Sequence, residues 1–142
     1  MKRILALVTL FLIIFNYSSK AYSIEPDEFI QSTVSRAAKT LSGGFTKEER
    51  IEKLKEIARD TVDIRGIGFY SLGSHRKNLS KEQLEKYKNI FEAYFLKSFS
   101  SRLAEYSNPE IEVNSQKKIN KNYTIVSSTL VATNTRPEVK IE

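Results

Sequence analysis

Apolar side chains recur at helical spacing in two stretches near the start of the chain, and they predict two amphipathic helices. The first stretch follows Pro26, a residue suited to the first turn of a helix, and stops at Gly43-Gly44. Its apolar positions are Ile30, Val34, Ala37, Ala38 and Leu41. The second stretch follows Thr46, which can form a capping box with Glu49. Its apolar positions are Ile51, Leu54, Ile57 and Ala58, and the helix is predicted to end near residue 60.

The longest helical stripe follows a second predicted capping box, formed by Ser80 and Gln83. It extends over about six turns at 3.6 residues per turn and predicts one long helix. Its apolar positions are Leu84, Tyr87, Phe91, Tyr94, Phe95, Phe99, Leu103 and Tyr106. Residues 62–73, just before this helix, mix glycine with large apolar side chains. They predict a short helix with irregular ends.

The period of the pattern changes from helical to alternating after Asn108-Pro109. Residues 111–114 alternate apolar and polar side chains, residues 123–132 are rich in Thr, Val and Ile, and residues 139–142 alternate again. The polar segments 120–122, with two asparagines, and 134–137, with an asparagine and a proline, predict the turns between these strands. Helices followed by antiparallel strands predict an α+β fold, with the N-terminal helices packed on one face of an antiparallel sheet. Because the sequence stops inside the third strand, we expect it to be a fragment or a truncated form.

The N-terminus has the pattern of a secretory signal peptide. Lys2 and Arg3 precede the apolar residues 4–15, and Ala21 and Ser23 are the small residues that a signal peptidase recognises. A membrane-spanning helix needs about 20 apolar residues, so this run is too short to be one. The pattern predicts cleavage of residues 1–23 and one exported domain, residues 24–142.

The charge of the chain gives no reason to expect a nucleic-acid partner. The whole sequence has a formal net charge of +6, but Lys2, Arg3 and Lys20 belong to the predicted signal peptide. The small positive charge that remains is spread along the chain rather than gathered in a patch. Cysteine is absent. An exported domain of this size without disulfides is typical of a bacterial periplasmic protein that its core alone stabilises.

Catalytic and metal-binding patterns are missing from the sequence. His75 is the only histidine and lies in a polar turn, and no phosphate-binding, nucleophile or zinc motif occurs. We therefore expect no catalytic residues, no metal and no cofactor.

Aromatic residues are concentrated on the long helix and the segment before it, where they form either an ordinary packed core or the wall of a cavity for an apolar ligand. Basic residues in two turns also have two interpretations. They are either solvated turn residues or contacts to acidic head groups or to an acidic partner. These are Arg76, Lys77, Lys117, Lys118 and Lys121.

Several motifs occur in one order along the exported part of the chain. They are Val62-Asp63-Ile64, Leu72-Gly73, Ser80-x-x-Gln83, the spaced Phe91, Phe95, Phe99, Leu103 and Tyr106, then Tyr123-Thr124-Ile125-Val126 and Arg136-Pro137-x-Val139-x-Ile141. In this order they resemble the periplasmic phospholipid-carrier family of the Mla pathway, also called the toluene-tolerance auxiliary family. The aromatic residue, usually Trp, that often follows the Leu-Gly of that family corresponds here to Arg76 or His75. Family members also continue past the Arg-Pro turn, so the resemblance implies that the last strands and a C-terminal helix are missing here.

The resemblance implies a carrier rather than an enzyme. It implies a periplasmic shuttle that carries phospholipid between an outer-membrane lipoprotein complex and the substrate-binding ring of an inner-membrane ABC transporter. The acyl tails would lie between the long helix and the inner face of the sheet, with the head group near solvent. Eight residues on matched elements and apolar stripes are predicted to contact the tails: Ile64, Ile67, Leu72, Phe91, Phe95, Phe99, Ile125 and Val131.

Three alternatives remain open at this point. A non-lipid periplasmic binding or adaptor domain would have the same fold and would copurify with no lipid. An enzyme on a similar cone-shaped fold would need an acid/base pair inside the cavity, for which Asp63 and Tyr70 are the candidates. A carrier of a hopanoid or another lipid would use the same apolar surfaces.

Overall fold

The structure is a computed structural model that describes residues 24–106, 108–131 and 137–142. The predicted signal peptide and nearly all of the predicted turn at 134–137 lie outside these residues. Four α-helices, with a 3₁₀-helix at Gly73–Asn78 before the last of them, precede three strands. The helices are α1 (Pro26–Ser42), α2 (Lys47–Thr61), α3 (Ile64–Ser71) and α4 (Lys81–Leu103), and the strands are β1 (Ile111–Asn120), β2 (Tyr123–Leu130) and β3 (Val139–Ile141).

Both predicted capping boxes are present. The Thr46 N–H donates to the Glu49 carboxylate at 2.8 Å, and the Glu49 N–H donates back to the Thr46 hydroxyl at 3.2 Å. Ser80 and Gln83 make the equivalent pair of bonds at 2.8 and 3.1 Å at the start of α4. These bonds satisfy N–H groups that the first turn of a helix leaves without intrahelical partners. The sequence therefore predicted the starts of α2 and α4 correctly.

The predicted short helix with irregular ends is α3. The Asp63 carboxylate caps it by accepting from the Gly66 N–H at 3.0 Å. Gly73 follows with a φ of 53°, a left-handed conformation that glycine adopts without strain, and the chain then turns into the 3₁₀-helix.

The strands form one antiparallel sheet in the order β1-β2-β3. The β1–β2 register pairs Ile111 with Leu130 at one end and Asn120 with Tyr123 at the turn, with two irregularities between them. Helix α1 packs across β1 and β2. The predicted α+β class is confirmed, and α1 is the helix that mainly covers the sheet.

The helical core consists of two clusters that α2 joins. In the first, Leu41 and Leu54 pack with Ala104, so that α1, α2 and the end of α4 meet. In the second, Ala58 packs with Ile64 and Leu96, so that α2, α3 and α4 meet. Leu54 and Ala58 are each only 1% exposed. Helix α2 therefore holds the helical layer together.

The buried face of α4 differs from the predicted stripe. Leu96 and Ser100 are its buried residues, whereas Tyr94 is 69% exposed. Ser100 can be buried because its hydroxyl donates to the Leu96 carbonyl in the preceding turn. The helix also ends at Leu103, one turn before Tyr106. An apolar stripe in the sequence identifies the apolar face of a helix. Which residues of that face are buried depends on where the neighbouring helices pack against it.

A charged network on the surface ties α3 to α4. The Arg65 guanidinium contacts the carboxylates of Glu85 and, at 3.6 Å, of Glu92, and Lys88 donates to Glu85 at 2.9 Å. The hydrogen bond from Lys88 is the largest cause that lowers the pKa of the Glu85 carboxyl from its ordinary value, and the charge of Arg65 adds to it.

Substitution of Gly68 by Ala is expected to destabilise the fold by about 1–2 kcal/mol. A Cβ at this position would lie 2.7 Å from Cδ1 of Phe91, inside van der Waals contact with a packed ring. The free energy of unfolding from urea titration measures the effect. Gly44→Ala is the control, because a Cβ there meets nothing within 4 Å. Equal stability of the two variants would contradict close packing of α3 against α4.

Substitution of Glu85 by Gln is expected to lower the thermal midpoint at neutral pH. Because the pKa of Glu85 is lowered in the folded state, its contribution is present above the ordinary carboxyl pKa of about 4.3 and is lost as the pH falls through the lowered value. The difference between the variant and the original protein should therefore shrink below about pH 4. Circular dichroism melts across this range test it, with Glu105→Gln as a control on an exposed carboxylate.

Candidate functional site

An apolar cleft lies between helix α1 and strand β2. Its volume is about 510 Å³, within the range of roughly 300–1,000 Å³ typical of ligand sites. Helix α1 contributes its first turns and β2 its first half. The lining residues are Pro26, Phe29, Ile30, Tyr123, Thr124, Ile125, Val126 and Glu142. Phe29 and Tyr123 remain 39% and 57% exposed, so the cleft is open to solvent on the described part of the chain.

The cleft follows from how α1 meets the sheet. Among the described helices, α1 is the one that packs extensively across β1 and β2. The burial of β2 is incomplete: Ser128 is its one buried residue, and Ile125 and Val126 are half-buried. Apolar residues of β2 near the hairpin turn thus line a cleft beside the N-terminal end of α1. Such a surface can receive an apolar ligand without displacing core side chains.

A second concave surface, more polar, adjoins this cleft. Its volume is about 370 Å³, and it is lined by Ile24, Glu25, Pro26, Gln116, Lys118, Lys121 and Thr124. Pro26 and Thr124 line both surfaces. The apolar cleft therefore continues into a region that carries two lysines and one carboxylate.

A row of aromatic rings runs along α4 at a spacing of four residues, which places successive side chains on one face of a helix. The ring centroids of Tyr87, Phe91, Phe95 and Phe99 are separated in turn by 5.9, 6.2 and 5.4 Å. The Tyr87 and Ser71 hydroxyls lie 2.8 Å apart and join the row to α3. The middle of the row is packed, because Phe91 and Phe95 lie against the core cluster of Ala58, Ile64 and Leu96. At its far end Phe99 is 38% exposed.

The eight predicted tail-contact residues fall into different parts of the structure. Ile64, Phe91 and Phe95 meet in the core between α2, α3 and α4, and Phe99 continues their row. Ile67 is 45% exposed on α3, and Leu72 is half-buried at its end. Ile125 lines the apolar cleft. Val131 follows β2, where its N–H donates to the Glu110 carbonyl at 2.9 Å. Their role as lipid contacts stays a prediction.

Most of the residues that line the cleft were not indicated by the sequence patterns. Phe29, Tyr123 and Val126 line it beside Ile125, but they were not among the predicted contacts. Phe29 follows no stripe, since Ile30 next to it carries the helical repeat of α1. The sequence feature that could have indicated the cleft is the mainly apolar run 123–126 on a predicted strand. That signal does not specify which helix lies across the strand.

The two residues considered for catalysis, Asp63 and Tyr70, have different surroundings. The Asp63 carboxylate caps α3, and Tyr70 is 79% exposed. Among the residues that the structure describes, no group of three or more His, Asp and Glu side chains could hold a metal ion. No helix within residues 24–106 and the two shorter described segments is long and apolar enough to cross a membrane.

Comparison with known proteins relates this sequence to one family. The model of the MlaC protein family matches residues 28–142. The chain belongs to the MlaC family. The match covers α1 from its third residue through β3, so it includes every residue that lines the cleft except Pro26. It confirms the family resemblance seen in the sequence motifs. No curated protein matches the sequence of this MlaC-family chain.

A solved structure shares the fold. It is a phospholipid-binding protein from Ralstonia solanacearum, determined in complex with a phospholipid. The TM-score is 0.64 at 14% sequence identity, with 84% of this chain and 71% of the other chain covered. At such low identity the likeness extends to the fold and to no individual residue.

Substitution of Phe95 by Ala is expected to cost about 2–3 kcal/mol in the free energy of unfolding, since Phe95 packs against a buried cluster. Tyr94→Ala is the matched control on the exposed side of α4 and should change stability by less than about 0.5 kcal/mol. Urea denaturation followed by circular dichroism measures both. Similar values for the two variants would show that the aromatic row is not part of the core.

Proposed function

We propose that this protein is a lipid carrier that binds phospholipid and shuttles it between the outer and inner membranes. The observation that carries the proposal is the apolar cleft between α1 and β2, in which Phe29, Ile30 and Ile125 line a space of about 510 Å³. Membership of the MlaC family supports it. So does the shared fold of a phospholipid-binding protein solved with its ligand.

The physical need for such a carrier comes from the hydrophobic effect. Each CH₂ group transferred from an apolar environment to water costs about 0.8 kcal/mol, so acyl chains cross an aqueous compartment slowly without cover. Contacts of this kind require shape and apolar surface rather than hydrogen-bond partners. The half-buried β2 side chains beside α1 offer that surface, and the tight clusters around Leu54 and Leu96 do not.

The cellular setting is part of the same proposal. Residues 1–23 act as a cleaved signal peptide, and residues 24–142 work in the periplasm as one lipid-carrier domain. The partners are an outer-membrane lipoprotein complex and the substrate-binding ring of an inner-membrane ABC transporter. The apolar run after Lys2-Arg3 and the absence of cysteine support export to a bacterial periplasm.

We propose different roles for the eight predicted tail-contact residues. Ile125 is proposed as a direct tail contact because it lines the cleft. Phe99 and Ile67 are proposed as further contacts because both remain partly exposed on α4 and α3. Ile64, Phe91 and Phe95 lie in the core between α2, α3 and α4 and would hold the side chains of Phe99 and Ile67 in place. Leu72 and Val131 are proposed as contacts at the ends of α3 and β2.

Substitution of Ile125 by Asp is expected to reduce the lipid-bound fraction about tenfold, because a carboxylate in the cleft must be desolvated when an acyl chain enters. Native mass spectrometry of the chain purified from a bacterial periplasm measures phospholipid adducts and compactness together. Phe29→Asp is a second variant on the helix side of the cleft, where the 39% exposed side chain contributes less to folding.

Ile119→Asp is the matched control for this experiment. Ile119 is 47% exposed near the hairpin turn and does not line the cleft. Its substitution should leave the adduct unchanged. A compact original protein without any lipid-sized adduct would contradict the carrier function and favour a non-lipid binding or adaptor domain.

A further inference from the structure

The surface beside the apolar cleft is more polar than the cleft itself. We call this surface the basic pocket, defined by Ile24, Glu25, Pro26, Gln116, Lys118, Lys121 and Thr124, with a volume of about 370 Å³. Lys118 lies near the end of β1, and Lys121 lies in the turn that leads into β2. Two ammonium groups thus stand where the β1–β2 hairpin passes the start of α1.

The basic pocket and the apolar cleft are continuous. Pro26 on α1 and Thr124 on β2 line both. A molecule with an apolar part beside Ile125 would therefore reach the lysines with a polar part attached directly to it. The two surfaces together are amphipathic over a short distance.

The lysines of this pocket are not engaged elsewhere. Within residues 24–106, 108–131 and 137–142, neither Lys118 nor Lys121 takes part in an ion pair. No acidic residue occurs in the sequence between Glu112 and Glu138. Glu25 is the carboxylate that lines the pocket, and its side chain makes no capping bond to α1. Within the basic pocket the balance is two positive charges against one negative charge. A second acidic residue, Glu142, lines the adjoining apolar cleft.

The groove on the other side of α1 is acidic rather than basic. The groove there is lined by Asp27, Glu28, Gln31, Ser32, Ser35 and Val113 and contains no basic residue. An anionic group next to the cleft is therefore favoured on the Lys118 side and disfavoured on the Asp27 side.

We propose that the basic pocket binds the phosphate of a glycerophospholipid whose acyl tails occupy the apolar cleft. Lys118 and Lys121 would pair with the phosphate oxygens, since an ammonium group binds phosphate as a compact point charge. Glu25 would weaken this attraction and keep the lipid releasable. The proposal rests on the proposed function and adds to it a head-group site and a preference for phosphate-bearing lipids over neutral ones.

The test compares two short-chain lipids that differ in the phosphate. Dihexanoyl phosphatidic acid and dihexanoylglycerol are titrated into the full chain, purified from the periplasm and freed of lipid, by isothermal calorimetry at low salt. The double variant Lys118→Gln/Lys121→Gln should bind the phosphatidic acid about fivefold more weakly, as expected for the loss of two exposed ion pairs. Its affinity for dihexanoylglycerol should not change.

Two further variants separate this site from general charge effects. Lys47→Gln/Lys86→Gln removes the same charge from exposed helix positions outside both surfaces and should leave both affinities unchanged. Glu25→Gln removes the opposing carboxylate and should strengthen binding of the phosphatidic acid about twofold, without affecting dihexanoylglycerol. An increase in affinity distinguishes an electrostatic role from damage to the fold.

Several results would overturn the head-group site. One is an equal loss of both lipids, or of neither, in the Lys118/Lys121 variant. Another is the same loss in the Lys47/Lys86 control. Inorganic phosphate that binds as tightly as the phosphatidic acid would show a simple anion site without the tails. If dihexanoylglycerol binds the original protein but the phosphate adds nothing, the head-group site fails and the carrier function stands. If neither lipid binds, both fail.

Discussion

The packing of Leu54 and Ala58, one turn apart on α2, is the interaction on which the helical part of the protein depends. Leu54 joins the cluster with α1 and the end of α4, and Ala58 joins the cluster with α3 and α4. Both are 1% exposed, whereas each of the other described α-helices has at least one large apolar side chain that is more than a third exposed. The capping box at Thr46 fixes where α2 begins and so fixes which of its residues face these neighbours. Because α2 serves both clusters, α1 and α4 are held in place through it.

The sheet is attached to this helical layer in a looser way. Helix α1 is its main contact, and α4 packs chiefly against α2 and α3. Among the described helices α1 is the one with extensive contacts to the sheet, so β2 is incompletely buried and its half-buried residues Ile125 and Val126 line the cleft together with Phe29. The same constraint that leaves this part of the core unfilled creates the cleft. Ligand binding is thus proposed where packing is incomplete, and stability resides in the clusters that α2 joins.

Positive and negative side chains that are mixed along the sequence are separated in the folded structure. Lys118 and Lys121 are brought next to Glu25 at one side of α1, while Asp27 and Glu28 line a groove at the other side. Asp27 and Glu28 also lie in the first turn of α1, where negative side chains favour the helix dipole. The lysines have no such local reason for their positions. Their placement beside an apolar cleft is what gives the surface an amphipathic character.

The sequence by itself determined the local features of this protein. Apolar spacing predicted α1, α2 and α4, with side-chain caps at the starts of α2 and α4, and the mixture of glycine and large apolar residues at 62–73 predicted the short helix α3. The Asn-rich turn predicted the β1–β2 hairpin, and the ordered motifs predicted the family. The helices and the hairpin depend on residues within about one turn or one hairpin of each other, and the family is indicated by the order of motifs along the chain. Tertiary structure alone decided that Leu96 and Ser100 are buried while Tyr94 is exposed, and that α1 lies across the strand bearing Ile125. The reason is that periodicity identifies an apolar face, whereas the extent to which that face is covered depends on elements distant in the chain.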